Sequence, residues 1–380
     1  TSECKDNCCI GGWEIDIDDE TYERYNNMTG ELKHKIIDSI TQNEDEEYCF
    51  KLCDGKCPML DDNGLCEIHK NLGEDYLGVV CKQFPRYSEY YGTIKESGIG
   101  LACEEAARII LSENRPFSME TAACDEEYEP SSEYDSSFAL QIFAAREAVF
   151  KILAKESLSI HEKLIVILDM GSKIQQCINT DEYDNIKSVV NDYLKEGIAH
   201  TLDETRNLSD SGQFEDISLQ QGIRQILYPY EEMEVLNPEW EVILKDIIDS
   251  LFEQMSDEEY NILNEEFGTY MVSRAYEYRQ LLEYLVFRYF AKSIYDYDFL
   301  GKCQMLVTNF FVIRQMDIIR WLDNHREYSF KDRMDVVHIF SRQVEYSEDN
   351  IENLYEDFIF DDIFKTDSLI AILWIDSENI

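Results

Sequence analysis

Ten of the chain's twelve cysteines crowd into its first 124 residues, at positions 4, 8, 9, 49, 53, 57, 66, 81, 103 and 124. A chain of 380 residues buries a sizeable core without cross-links, so these cysteines are not staples for a scaffold too small to fold. Clustered cysteine marks either a disulfide framework or a metal site. No secretory leader is read at the start of the chain. That ranks disulfides below thiolate ligation of zinc or of an iron–sulfur cluster. The isolated Cys177 and Cys303 read as inert core thiols.

Within the cluster, "CKDNCC" supplies a tight group, Cys4, Cys8 and Cys9, and Cys57, Cys66, Cys81 and Cys103 are its more distant partners. In "CFKLCDGKC" the cysteines 49, 53 and 57 recur at four-residue spacing. If helical, that stretch would place three sulfurs on one face. It is not the CxxxCxxC run of a radical S-adenosylmethionine site. In "CPMLDDNGLCEIH" a polar turn from Asp61 to Gly64 brings Cys57 and Cys66 together, and His69 follows three positions later. Zinc sites often mix Cys with His, yet set among so many thiols His69 reads as a bystander. Four thiolates close one tetrahedral site, and an all-cysteine set suits zinc or iron alike.

The chain is read as mainly α. A small cysteine-rich, metal-binding N-terminal domain, α with short strands, spans 1–124, an acidic linker 125–137, and an all-helical domain 138–380. "WEIDIDDETYERY" alternates at Trp13, Ile15 and Ile17 as a short strand and then turns helical, and "GTIKESGIGLAC" reads as one arm of a hairpin. From 138 onward apolar residues return at helical spacing, as at Phe138, Ile142, Ala145, Val149, Ile152 and Leu153. "DEYDNIKSVVNDYLKEGI" is expected to stop near Gly197, and a looser loop is expected over 203–216. "SDEE" and "SEDN" read as N-caps with acidic first turns. No run approaches the roughly 18 apolar residues of a membrane span, and a cytoplasmic location is expected.

The formal charge is −45, from 79 acidic against 34 basic side chains. Such a surface repels phosphate backbones and anionic membranes, which speaks against nucleic acid as a partner and favours a basic, lysine-bearing protein. No P-loop, GxSxG or HExxH is present. The single GxG, "GIG" at 98–100, lacks the third glycine of a dinucleotide fingerprint. "YEYRQLLEYLVFRYF" reads first as a packing helix and second as a pocket wall bearing Tyr284, Arg288 and Tyr289. Arg342 and Glu345, about one turn apart, read as an ion pair or a polar site.

Taken in order, "CKDNCCIGGWEIDIDDETYERY", "CPMLDDNGLCEIHKNLGEDYLGVVCKQFPR" and "ESGIGLACEEAARIIL" resemble the N-terminal region of the flagellin lysine N-methylases. "LLEYLVFRYF" and "FSRQVEYSEDNIENL" resemble later stretches of that family. The resemblance implies transfer of methyl groups from S-adenosylmethionine to flagellin lysines, with a 4Fe-4S cluster bound by the cysteine-rich motif. The ligand candidates it implies are Cys4, Cys8, Cys9, Cys57, Cys66, Cys81 and Cys103, with Cys49, Cys53 and Cys124 as weaker members. Two features depart from the family pattern. A further cysteine expected just upstream of Cys4 is absent from this sequence, and Glu345-Tyr346 stands where Glu-His is expected. With no Gly-rich nucleotide loop, the donor would need the cluster or a pocket between the two domains. The competing readings are a zinc-stabilised, non-enzymatic module that binds a basic protein, and an electron-transfer protein.

Overall fold

The computed structural model describes residues 8–43, 46–123, 135–210 and 217–378. Ile15 and Ile17 are both buried, as the alternation predicts. Phe50 N donates to Ile15 O, and Ile17 N donates to Tyr48 O. The pairing stays a single bridge, Asp16 with Cys49, rather than a full strand. Helix α1 (Asp19–Asn27) follows, its first turn capped by the Asp18 carboxylate on Thr21 N at 2.9 Å. Next come α2 (Glu31–Asp38) and the short antiparallel pair β1 (Ile40–Gln42) and β2 (Tyr48–Phe50).

The helix considered for Cys49, Cys53 and Cys57 does not form. Cys49 lies buried on β2, and Cys53 sits exposed in a turn closed by reciprocal Cys53–Lys56 backbone hydrogen bonds. The sequence reason is Asp54-Gly55, two consecutive residues with positive φ (51° and 71°), a conformation no right-handed helix accommodates. Short helices α3 (Glu67–Leu72) and α4 (Val79–Gln83) complete this part. It is organised on a small core of its own that includes Ile15, Tyr25, Ile36, Phe50, Met59 and Ile68.

Strands β3 (Arg86–Tyr91) and β4 (Ile94–Ile99) form the expected hairpin, with Tyr87 opposite Gly98 and Gly92 turning at φ 61°. Helix α5 (Glu104–Leu111) follows. Tyr91, Leu101, Ala107 and Leu111 are buried in the large core of the helical body rather than in the small one. The hairpin and α5 therefore seat the cysteine-bearing segments on the helices that follow.

Those helices are α6 (Ser136–Leu153), α7 (Ile160–Asn179), α8 (Ile186–Asp192), α9 (Ile198–Asp210), α10 (Leu219–Glu231) and α11 (Pro238–Ile247). They continue with α12 (Asp257–Met271), α13 (Ala275–Tyr289), α14 (Ser293–Asp296), α15 (Phe299–Asp323), α16 (Phe330–Val344), α17 (Glu348–Phe360) and α18 (Thr366–Glu378). Ser159, Ser256 and Ser329 form capping boxes with Glu162, Glu259 and Asp332, and Ser347 caps α17. Helix α15 is buried along most of its length, its polar residues such as Asn309, Arg314 and Asp317 included, and it packs against α7, α13 and α16.

Two expectations are corrected. Gly197 does not end a helix, because a wide π turn (Tyr193–Gly197) carries α8 into α9. Residues 203–210, expected in a loop, are helical, while 211–216 lie outside the described residues. Residues 125–134 of the expected linker also lie outside them, and its last two, 136 and 137, open α6. Among the described residues no helix is long and apolar enough to cross a membrane.

Candidate functional site

The turn predicted between Cys57 and Cys66 is present. Asp61 Oδ1 accepts from Asn63 N at 2.9 Å and Leu65 N at 3.0 Å, Gly64 takes φ 73°, and Lys70 Nζ anchors Asp61 Oδ2 at 2.7 Å. Cys57 N donates to Cys9 O at 2.8 Å, which ties the "CC" segment to the turn. Helix α4, carrying Cys81, is pinned to the start of α1 by Val79 N on Asp18 Oδ2 at 3.0 Å. The result is a cavity of about 50 Å³ lined by Cys8, Cys9, Cys57, Cys66 and Cys81, with Trp13, Ile15, Tyr25 and Phe84 among its apolar walls.

These thiols burden one another. Cys9 is pushed up to about 12, first by its hydrogen bond to Cys57. Cys81, exposed at the cavity's edge, is pushed up to about 12 first by the desolvation of its crowded surroundings and then by the charges of Cys8 and Cys66. Cys8, also exposed, is raised by its hydrogen bond to Cys9 and then by desolvation. Several thiolates cannot share such a space without a cation to balance them, which is the situation a thiolate-bound metal relieves. Its lining offers five cysteine sulfurs, beside the Met59 thioether and the Tyr25 hydroxyl, and no histidine or carboxylate. Thiolate sulfur is the soft donor that iron–sulfur clusters and zinc both take. Among the described residues no three ligating side chains are arranged to hold a single metal ion.

Five of the seven predicted ligands thus meet. Cys4 lies outside the described residues, as does Cys124. Cys103 opens α5 and does not line the cavity; it lies close enough to Tyr346 for its charge to act on that hydroxyl. Cys49 and Cys53 stand apart from the cavity, and His69 is exposed on α3.

Behind the cavity's Trp13–Phe84 wall lies a second, polar site. Tyr346 stacks on Trp13 with ring centroids 5.5 Å apart and tilts against Phe84 at 6.2 Å. Arg342 lies over the Trp13 ring at 4.9 Å. The ion pair expected between Arg342 and Glu345 is not the one formed: Glu345 Oε2 pairs with Arg288 Nε at 3.1 Å. The same oxygen accepts from the hydroxyls of Tyr284 and Tyr289, each at 2.9 Å. Arg288 also donates to Tyr284 at 3.1 Å and stacks on Tyr87 at 4.5 Å. Burial and the Glu345 charge raise both tyrosine hydroxyls well above their usual range. Glu345 Oε1 is buried without a hydrogen-bond partner, the sole carboxylate oxygen so placed among the described residues. Such an acceptor is costly to leave unmet.

The FliB lysine N-methylase C-terminal domain is the family description matched by residues 146–372. The chain belongs to this family. The matched stretch holds the polar site on α13 and at the end of α16, and the thiol cavity lies before it. Two relatives are named lysine-N-methylase, from Salmonella typhimurium strain LT2 and Salmonella choleraesuis strain SC-B67. Each is 31% identical over 118 residues, 30% of this chain and 29% of its own length. The flagellar biosynthetic protein FliU of Salmonella muenchen matches at the same 31% identity over 30% of this chain and 69% of its own length. The alignments thus span less than a third of the two methylases. No solved structure matches the chain.

For this FliB-family chain, sequence reasoning missed Trp13, Phe84 and Tyr87 as members of the site. One signal was present in "GIG". A Cβ on Gly100 would stand 2.8 Å from the Tyr346 hydroxyl, and one on Gly98 would stand 2.5 Å from that of Tyr87. These glycines let the Tyr346 and Tyr87 hydroxyls pack close to the backbone.

Proposed function

We propose that the protein is a protein-lysine N-methyltransferase that takes its methyl group from S-adenosylmethionine, acts on flagellin lysines, and holds an iron–sulfur cluster in the thiol cavity. The observation that carries this reading is the five-cysteine cavity whose Trp13–Phe84 wall backs directly onto the buried Tyr–Arg–Glu site of the family domain. Membership of a lysine N-methylase family and the names of the relatives support it.

Cys8, Cys9, Cys57, Cys66 and Cys81 are the residues that would hold the cluster, with Cys4 and Cys103 as further candidates. When bound, a cluster supplies a site able to ligate or reduce a sulfonium donor. The chain's own residues do the rest. Methylation joins the lysine nitrogen to the donor's methyl carbon, breaks the carbon–sulfur bond with its electron pair kept on sulfur, and requires the ammonium to lose a proton. Glu345 Oε1, the buried acceptor without a partner, is assigned to receive the lysine ammonium and hold its proton. Tyr284, Tyr289 and Arg288 fix that carboxylate through its other oxygen. Excess negative charge over the molecule draws in a lysine-bearing partner.

The test is transfer of labelled methyl from S-adenosylmethionine to purified flagellin under anaerobic, reducing conditions. Label on flagellin lysines is expected. A protein loaded with iron and sulfide that transfers none would overturn the assignment.

A further inference from the structure

A second pocket, of about 370 Å³, opens between the hairpin, the end of α5, residues 115–120 and α13. That volume lies in the range of small-molecule sites, roughly 300–1,000 Å³. Its aromatic wall is Tyr87, Phe117, Tyr284 and Phe287. Phe117 is fixed by stacking on Phe150 at 4.2 Å and tilts against Phe287 at 5.8 Å. Its charged lining is Arg115, Glu120 and Glu283. Arg279 clamps Glu283 at 2.7 and 2.8 Å and also donates to Asn114 Oδ1 and Arg115 O, which fastens the 113–118 segment to α13. Gln280, which is 5% exposed, donates to Glu113 O at 2.5 Å, and its amide oxygen is buried without a partner.

The occupant follows from the chemistry of this lining. A lone lysine side chain would leave most of the volume and the aromatic wall unused, and it would meet the like charge of Arg115. A ligand with a planar base, hydroxyls, an ammonium and a carboxylate finds a partner for each. The base has Phe117 and Phe287, the carboxylate has Arg115, and the hydroxyls and ammonium have Glu120, Glu283 and the Gln280 carbonyl. The pocket also shares two walls with the polar site. Tyr284 lines it while donating to Glu345, and Tyr87 lines it while carrying the Arg288 guanidinium on its ring.

We propose that this pocket is the binding site of a nucleoside-linked amino acid, the methyl donor and its demethylated product. The inference rests on the reading that the chain uses S-adenosylmethionine. It supplies the inter-domain pocket that a chain without a Gly-rich nucleotide loop would need.

The experiment is calorimetric titration of the full-length, anaerobically prepared protein with S-adenosylhomocysteine, which has no reactive methyl. Two variants at exposed positions probe the pocket: Arg115→Glu reverses its cation, and Ile109→Trp narrows its mouth. Ile359→Trp, on the exposed end of α17 (Ile359 is 73% exposed), is the control. Thermal melts of all three are expected to match the parent. Binding by the parent and the control, weakened at least tenfold in both pocket variants, is the expected result. Equal binding by all four proteins overturns the pocket while leaving the donor reading intact. No binding by the parent overturns the donor reading and the pocket with it. Tighter capture of a lysine peptide by Arg115→Glu would show that the pocket takes the acceptor, and would also overturn the proposal.

Discussion

Gly100 brings the cysteine-bearing half close against the polar site, and replacing it with alanine is a sharp perturbation. Gly100 does not adopt a left-handed backbone. Alanine is therefore compatible with its conformation, and on chain entropy alone would stabilise by about 0.4–1 kcal/mol. The added Cβ, however, would stand 2.8 Å from the Tyr346 hydroxyl and 3.3 Å from Arg288 Nη1. Neither can step aside freely, since Tyr346 is stacked on Trp13 and Arg288 is held by Tyr284 and Glu345. Overpacking of this kind costs about 1–3 kcal/mol. Set against the entropy gain, a net loss of about 1–2 kcal/mol is expected, read as a melting temperature lower by about 2–6 °C. The cause is specific, so the rescue is too: Tyr346→Phe removes the oxygen the methyl meets, and the double variant is expected to recover most of the loss. Circular-dichroism melts of the four proteins measure it. A Gly100→Ala protein as stable as the parent, or one that Tyr346→Phe leaves unrescued, would refute the close-approach reasoning.

Three other outcomes follow from the same geometry. Burial alone would raise the Asp376 carboxyl, but Arg314 and His161 overcome it and hold the group at about 2, below the usual 3.8. Its contribution, about 2 kcal/mol, is complete above about pH 5 and is lost as pH falls through the unfolded value toward 2. Urea midpoints of the parent are expected to fall over that interval, and those of Asp376→Asn to be lower at pH 7 and flatter in acid. Cys57→Ser or Cys66→Ser is expected to lower bound iron and sulfide per chain severalfold, while Cys53→Ser, exposed in its turn, leaves both unchanged in elemental analysis. Glu345→Gln keeps the tyrosine hydrogen-bond geometry but removes the charge; it is expected to slow methyl transfer at least tenfold with S-adenosylhomocysteine binding unaltered.

Much of this was legible in the sequence because it is written in local pattern. The Asp61–Gly64 turn needs an Asx side chain and a glycine at one spacing, and both are there. The helical body announces itself through apolar periodicity and through serine caps such as Ser159 and Ser256. Local pattern failed where a single backbone angle or a long-range contact decides. The four-residue spacing of Cys49, Cys53 and Cys57 suggested a helix, but the left-handed pair Asp54-Gly55 broke it. Arg342 and Glu345 suggested a pair by spacing, yet Arg288, far away in sequence, claimed the carboxylate. Helices α10 and α18 fall inside the expected helical domain, but α18 shows little periodicity because it is apolar and buried on several sides. Trp13 and Phe84 join the site through contacts with Tyr346 across hundreds of residues, and no window of sequence displays that.

Mass spectrometry of flagellin incubated with the iron-loaded protein and S-adenosylmethionine, without oxygen, tests the central claim most directly. The expected result is N-methylated lysine in the flagellin digest, strongly reduced when Cys57→Ser protein is used instead. Flagellin recovered with unmodified lysines from a folded, iron- and sulfide-containing sample would contradict it.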